Sequence, residues 1–249
     1  MARTLLAPSE VLNPESQRRH HDHVDPHIRG RWLSDLVLGM QDGLVNTLGV
    51  VLGVAAASAS TRVTLAAGLA AGVAEAISMG AVGYTSSVAR GELFRAERQR
   101  EYRHLEAAPE IEREEIRRLY ARKGFQGPLL DRVVDTICAD KDVWVAVMMA
   151  EEHDLTEIDR GASLKSAAIV GASSLAGAVI PVLPFAVCSR WTAIVIAMVL
   201  STAGLFALGV FKAKVTTTRK ARGGAVLAVI GLLSALAGYL VGALFGVDP

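Results

Sequence analysis

Three polar side chains occur in an apolar segment whose length suits a bilayer. Residues 34–60, SDLVLGMQDGLVNTLGVVLGVAAASAS, are long and apolar enough to cross a membrane, yet they include Asp35, Asp42 and Asn46. On a helix these three share one face, because they are spaced seven and four residues apart. An ionisable side chain near mid-membrane costs at least ~2.5 kcal/mol and therefore faces a protein interior or a water-filled route. A role as a helix cap accounts for Asp35 but not for the deeper Asp42, which predicts an ion path.

A second apolar segment offers a carboxylate and a thioether one helical turn apart. Residues 63–88 contain the single acid Glu75, and Met79 follows it on the same face. A hard oxygen and a soft sulfur together suit Fe²⁺ or Mn²⁺ better than Mg²⁺ or Ca²⁺. Met79 alone would be ordinary core packing. Its position beside a membrane Glu, opposite a helix that carries Asp42, favours a metal path.

The next stretch is too charged to lie in lipid. Residues 90–165 are predicted to form three or four helices, the first of which continues the second apolar segment as far as Glu106. Further helices are expected to open at Pro109, at Pro128 and near Lys141, since proline is favoured in the first turn of a helix. The sequence therefore predicts a small soluble helical domain between two membrane spans.

Six metal-donor side chains in this insert occur in pairs three or four residues apart. Each pair points its donors in one direction on a helix, and together they could form an oxygen-rich metal site. The pairs are Glu101 with His104, Glu112 with Glu115, and Met148 with Glu152. The alternative is a solvated helical surface on which the many arginines pair with these acids.

Three further apolar segments bring the predicted number of spans to five, in an all-α membrane protein. The predicted parts are a cytoplasmic tail with an interfacial segment (1–33), spans one and two (34–89), a cytoplasmic helical metal-binding domain (90–165) and spans three to five (166–249). The linker over residues 212–222 carries five Lys or Arg, whereas the opposite connections hold only Arg62 and Arg190. Positive charge favours the cytoplasmic side, so the N-terminus is predicted inside and the C-terminus outside.

Composition restricts the remaining function classes. The net charge is +1, which gives no case for a nucleic-acid partner, and the two cysteines suggest neither a disulfide framework nor a zinc motif. Residues 1–31 are polar, without the apolar segment of a signal peptide, and are predicted to be a loosely ordered tail. Within them HHDHVDPH, residues 20–27, could bind a divalent metal weakly or be merely solvated.

The sequence contains the stretches GMQDGLVNTLGVVLGVAAA, AEAISMGAVGYTS, APEIEREEI, MMAEEHDL and GAVIPVLPF. Together these stretches resemble the vacuolar iron transporter family over about residues 20–246. The resemblance implies a homodimer of five-span protomers that exchange cytoplasmic Fe²⁺, sometimes Mn²⁺, for protons along a path at the dimer interface. It implies that Asp42, Glu75 and Met79 line this path. It also implies that Glu101, Glu112, Glu115, Met148 and Glu152 are ligands in the cytoplasmic domain, where His104 stands in place of another Glu.

These observations favour a transporter over an enzyme. No tightly bound cofactor is expected; Fe²⁺ is the expected substrate, with Mn²⁺, Co²⁺ or Zn²⁺ as further candidates, and the proton, the bilayer and a second copy are the expected partners. A membrane-anchored di-iron ferroxidase is the alternative, but Glu101-x-x-His104 supplies one Glu-x-x-His element where such bundles need two. A structural adaptor would need no aligned charges inside its spans. The Ala- and Arg-rich composition favours a bacterial cell (inner) membrane.

Overall fold

The computed structural model describes residues 31–153, 155, 160–215 and 219–246, and within these ranges the chain is α-helical without strands. Eight helices follow one another: α1 (Arg31–Ala57), α2 (Thr61–Ala107), α3 (Pro109–Arg122), α4 (Gly127–Cys138), α5 (Lys141–Glu151), α6 (Arg160–Val187), α7 (Arg190–Val215) and α8 (Lys220–Leu244). The His-rich segment 20–27, the linker residues 216–218 and the C-terminal residues 247–249 lie outside the described residues.

Five of these helices, α1, α2, α6, α7 and α8, are long and apolar enough to cross a membrane. The predictions of an all-α chain and of five spans are thereby confirmed. Helix α7 ends and helix α8 begins within the basic linker 212–222, so these two helices include basic residues such as Lys214 and Lys220. Long basic side chains allow this, because their stems cover apolar surface while the charge stays in water.

Helix α2 is one continuous element of 47 residues. At 1.5 Å per residue it is about 70 Å long, more than twice the ~30 Å thickness of the hydrocarbon layer. Its apolar first half and its charged second half therefore belong to one helix, as the sequence predicts.

The chain divides into two compact units, one made of residues up to 76 and from 172, and a second made of residues 77–171. In the first unit, the most buried face of α1 carries Leu44, Leu48 and Leu52. Leu48 and Leu52 pack with residues of α6, α7 and α8, whereas Leu44 packs with residues of α7 and α8. The core of this unit is thus built around α1.

Glycines bring α1 and α8 into backbone contact. A Cβ atom added to Gly238 would lie 2.1 Å from the carbonyl oxygen of Gly49, and one added to Gly242 would lie 1.9 Å from that of Gly53. Because a Cβ atom does not fit at these distances, the two helices can approach this closely only with glycine at both positions.

The second unit contains the charged end of α2, helices α3 to α5 and the start of α6. Its core includes Leu105, Ile116, Val134 and Val145, one from each of these first four helices. Asp140 caps α5 by accepting hydrogen bonds from the backbone N–H groups of Asp142 (2.8 Å) and Val143 (3.2 Å). Whether residues 90–165 act as a separate metal-binding domain stays a prediction.

Candidate functional site

Two acidic side chains meet inside the helices of the first unit. The Glu75 side chain on α2 interacts with those of Asp42 and Asn46 on α1. Glu75 and Asp42 are half-buried, and Asn46 is exposed. In the described part of the chain, no basic side chain is among the interactions of Glu75. The structure therefore brings together three of the five residues predicted for the path.

The other two predicted path residues occupy different positions. Asp35 is half-buried near the start of α1, and it is not among the interactions of Glu75. Met79 lies one turn after Glu75 on α2 and is buried. The functional roles of both stay predictions.

A cluster of donor atoms in the second unit forms where α2 passes into α3. A single residue, Ala108, separates the two helices, and Pro109 starts α3. This short connection places the last turns of α2 beside the first turn of α3. Donor atoms of Glu101, His104 and Glu112 all lie within 4.8 Å of one another. His104 Nδ1 is 3.6 Å from Glu112 Oε1 and 3.8 Å from Glu101 Oε1.

The two carboxylates of this cluster are buried without a full set of partners. Glu101 is 3% exposed and Glu112 is 5% exposed. The Oε2 atoms of both are buried and have no hydrogen-bond partner among the described residues. Buried carboxylate oxygens normally find a partner because desolvation is costly. A divalent cation bound among these oxygens would supply a positive counter-charge and would be a partner for the unpaired Oε2 atoms.

The acids of this cluster and its surroundings shift one another's pKa values. Burial, followed by the charges of the nearby carboxylates of Glu115 and Glu101, raises the pKa of Glu112 to about 7, while His104 opposes the shift. Desolvation also raises the pKa of Glu152, followed by the charge of Glu115. Glu115 and Glu152 thus lie close enough to the cluster to share its electrostatic field. Met148, the sixth predicted ligand, is buried in the core of the unit.

The sequence analysis missed His153. Its Nε2 lies 3.1 Å from Glu101 Oε1, although the two residues are 52 positions apart. His153 follows the end of α5, where regular helical spacing stops. The one available signal was an imidazole next to Glu152 in the run AEEHDL.

Basic residues of the same unit pair with other acids. Arg113 pairs with Asp135, Arg117 with Asp131 at 2.7 Å, and Lys123 with Glu151 at 2.6 Å. These are exposed or partly exposed ion pairs of the kind that a solvated helical surface carries. The sequence left open a metal site and a solvated helical surface, and the acids of this unit fall into two groups. The surface acids have arginine or lysine partners, whereas Glu101 and Glu112 have histidines.

An apolar groove of about 720 Å³ lies between α1 and α8 in the first unit. Asn46, Val50 and Val54 of α1 line one side, and Ala237 and Val241 of α8 line the other. Asn46 thus both lines the groove and contacts Glu75. Asn46 is therefore the residue that the groove lining and the acidic group share.

Comparison with known proteins places the chain in a family. A family model described as the VIT family matches residues 33–243. Vacuolar iron transporter 1 of Arabidopsis thaliana is 29% identical over 230 residues, which cover 92% of each chain. The vacuolar iron transporter of Toxoplasma gondii is 32% identical over 235 residues, 90% of this chain and 78% of that protein. The vacuolar iron transporter of Plasmodium falciparum is 25% identical over 93% of this chain and 90% of its own length. Since the family model covers most of the chain and five helices can span a membrane, the protein is a multi-pass membrane protein of the VIT family.

Proposed function

We propose that this protein carries Fe²⁺ across the membrane, out of the cytoplasm and in exchange for protons. The observation that carries the proposal is the meeting of Glu75 with Asp42 and Asn46 inside helices that can span the bilayer. Support comes from the relatives, which are named as iron transporters. A resident cofactor is not needed, because the metal ion is the substrate.

Exchange follows from the chemistry of the pair. Two carboxylates that face each other in a low-dielectric path cannot both stay charged without a cation between them. Either a dication or protons can neutralise the two carboxylates, and binding of the dication displaces the protons, or the reverse. Entry of protons from one side therefore releases the metal, and arrival of the metal releases protons. Asn46 adds an amide oxygen without a further charge.

Met79 is proposed to complete the path as a soft ligand. A thioether binds Fe²⁺ better than it binds Mg²⁺ or Ca²⁺, so it favours a transition metal over the abundant hard cations. Mn²⁺, Co²⁺ and Zn²⁺ would be accepted on the same grounds. Asp35 is proposed to assist at the entrance of the path, since it lies on the same face of α1 nearer the helix start.

The cluster in the second unit is proposed to capture the ion before transport. Glu101, His104 and Glu112 supply the donors, with Glu115, Glu152 and Met148 as further ligands. A group of carboxylates raises the local concentration of a scarce cation. Residues 90–165 would in that case face the cytoplasm as a metal-binding domain.

A transport measurement tests the proposal. The purified protein is reconstituted in vesicles with an acidic lumen, and Fe²⁺ is added outside. We expect the metal to accumulate while the lumen becomes less acidic, and both changes to stop when an ionophore collapses the pH gradient. Mn²⁺, Co²⁺ and Zn²⁺ are compared in parallel. Metal flux that does not depend on the pH gradient would contradict proton exchange.

The orientation is also proposed: N-terminus and charged insert in the cytoplasm, C-terminus outside, in a bacterial cell membrane. The test uses a chain in which Cys138 and Cys188 are replaced by alanine. Single cysteines at the exposed positions Ala59 and Ser189 are expected to react with an impermeant thiol reagent from outside. A cysteine at the exposed Gly124 in the insert is expected to react only after the cells are opened. The reverse labelling pattern would show that the chain has the opposite orientation in the membrane.

A second copy of the chain is proposed to pack on the groove between α1 and α8. What supports this is that the groove is apolar and adjoins the acidic group through Asn46. A cysteine at Val50, in the groove, is expected to cross-link two copies in the membrane. A cysteine at Leu183, exposed on α6 and not a lining residue, serves as the control. Equal cross-linking at both positions would argue against this interface.

A further inference from the structure

The imidazole of His153 lies against a carboxylate that the fold leaves incompletely partnered. Its Nε2 is 3.1 Å from Glu101 Oε1, and its side chain is 28% exposed. Glu101 Oε2 is buried and has no hydrogen-bond partner among the described residues. His153 therefore contacts one acid of the cluster, Glu101, and is also partly accessible to solvent.

The same oxygen has a second imidazole close to it. Nδ1 of His104 lies 3.8 Å from Glu101 Oε1, beyond hydrogen-bonding distance, whereas Nε2 of His153 lies 3.1 Å from the same oxygen. Two donors bound to one ion at about 2.0–2.1 Å are separated by about 2.9–3.4 Å in octahedral or tetrahedral geometry. The pair formed by His153 and Glu101 already meets this spacing. His104 belongs to the set of donor atoms within 4.8 Å of one another, whereas His153 does not, so both rings reach one ion only after side-chain rotation.

Nitrogen ligands change which metals a carboxylate site prefers. Sites made only of oxygen suit Mn²⁺ and Mg²⁺, whereas imidazole suits Zn²⁺, Ni²⁺ and iron. We propose that His153 is a metal ligand of the cluster, and that His153 and His104 together make the cluster select imidazole-binding dications such as Zn²⁺ over Mn²⁺. This inference rests on the proposed function, because it takes the cluster as the capture site for the transported ion.

The competing role for His153 is positioning. In that role it would hold the Glu101 carboxylate by a hydrogen bond, and the ligands of the metal would be oxygen atoms and His104. Loss of His153 would then weaken the binding of all metals to the same extent. The two roles differ in whether the bound metal has a second nitrogen neighbour.

The experiment uses the full-length protein in detergent. The chain has six histidines, of which His20, His21, His23 and His27 are in the tail. Replacing these four by asparagine leaves His104 and His153 as the two remaining imidazoles. One equivalent of Zn²⁺ is added, and X-ray absorption detects imidazole rings through their characteristic outer-shell scattering. Affinities for Zn²⁺ and Mn²⁺ are measured by competition with a chelating indicator.

We expect scattering from two imidazoles, falling to one in the His153→Asn variant. The Zn²⁺ affinity of this variant is expected to fall by at least about tenfold, since loss even of an outer-shell partner of a ligand costs 10- to 100-fold. The Mn²⁺ affinity is expected to change by less than about threefold, because Mn²⁺ depends mainly on the carboxylates. Glu151→Gln, a change two residues away at a carboxylate paired with Lys123, is the matched control and should alter neither affinity.

Each other outcome has a definite meaning. An unchanged imidazole count in His153→Asn, or an equal loss of Zn²⁺ and Mn²⁺ affinity, would overturn the inference and leave the capture site intact. If the variant with both Glu101→Gln and Glu112→Gln still binds Zn²⁺, the cluster is not the capture site, and that part of the proposed function is contradicted. The two failures are therefore distinguishable.

Discussion

The acids of the spans and the acids of the charged insert differ in their neighbours. In the insert, Asp131, Asp135 and Glu151 each pair with an arginine or a lysine. In the spans, Glu75 has another acid, Asp42, and an amide as its interaction partners. The buried pair Glu101 and Glu112 resembles the second case more than the first, because histidine and other acids surround it.

We expect this difference to separate acids with a structural role from acids that bind a cation. An acid with a basic partner is already neutralised and gains little from a cation. An acid whose neighbours are acids, amides or imidazoles is stabilised when a dication or a proton arrives. The distinction depends on partners and not on residue type, and each of the following predictions tests it.

The largest effect is expected for Asp42→Asn. Asparagine keeps the size of the side chain but supplies one neutral carbonyl oxygen and no exchangeable proton. The variant should insert into the membrane and still bind metal at the insert, while pH-driven metal flux in vesicles falls to the level of protein-free vesicles. Asp35→Asn, on the same helix face, is the control and should retain more flux. Wild-type flux in Asp42→Asn would refute the central proposal.

Removal of both buried acids of the cluster should have the next largest effect. Glu101→Gln with Glu112→Gln keeps the shape of the site but deletes two charges, so metal affinity at the insert should fall by about 100-fold or more. Glu114 sits on the same helix as Glu112 but pairs with Arg117 and Arg118. Glu114→Gln should therefore leave the affinity within about twofold, the small effect expected at a surface ion pair. Equal losses in the two variants would mean that the cluster is no more than a charged surface.

A smaller effect is expected in the stability of the metal-free protein. The pKa of Glu112 rises from 4.5 to about 7 on folding, so the folded state keeps a proton that the unfolded state releases. Stability from this group is complete below about pH 4.5 and is lost as the pH rises to about 7. A shift of this size corresponds to at most about 3 kcal/mol.

Thermal unfolding in detergent with a chelator measures this effect. The wild type should melt at a lower temperature at pH 8 than at pH 5.5. Glu112→Gln stays neutral at both values, so it should show a smaller difference and a higher melting temperature at pH 8. Identical pH profiles for the two proteins would show that Glu112 is not protonated in the folded state.

The smallest effect is expected for Met79→Leu. Leucine nearly preserves the volume of the buried side chain, so folding should change by less than about 1.5 kcal/mol. Loss of the soft sulfur ligand should lower the flux of Fe²⁺ by a few fold and the flux of Mn²⁺ by less. The ratio of the two fluxes is the measurement. An unchanged ratio would assign Met79 to packing alone.

The sequence was informative where one local signal was enough. The five spans follow from apolar length, and the helices of the insert follow from Pro109 and Pro128, which lie in the first turns of α3 and α4. The contact between Glu75 and Asp42 could be anticipated because each is the deep acid of its own span. In these cases the informative signal lies within one helix: its apolar length, a proline in its first turn or a single acid deep in its span.

Contacts between distant elements could not be predicted in this way. The approach of His153 to Glu101 depends on how α5 packs against α2, which is set by the shared core of Leu105 and Val145. The burial of Glu112, in a helix of mostly charged residues, depends on the one-residue connection at Ala108. Neither relation leaves a regular spacing in the sequence.

The glycine contacts join α1 to its neighbours more closely than the side-chain contact that joins it to α2. Backbone meets backbone where α1 touches α8, and also where it touches α6, since a Cβ atom on Gly43 would lie 1.9 Å from the carbonyl oxygen of Ser174. Helix α2 approaches α1 through the side chain of Val51 beside Gly68, a contact that can change rotamer. We therefore expect α1, which carries Asp42, to be held more tightly than α2, which carries Glu75. On this hypothesis, a change in the gap between the two carboxylates comes mainly from rotation or sliding of α2.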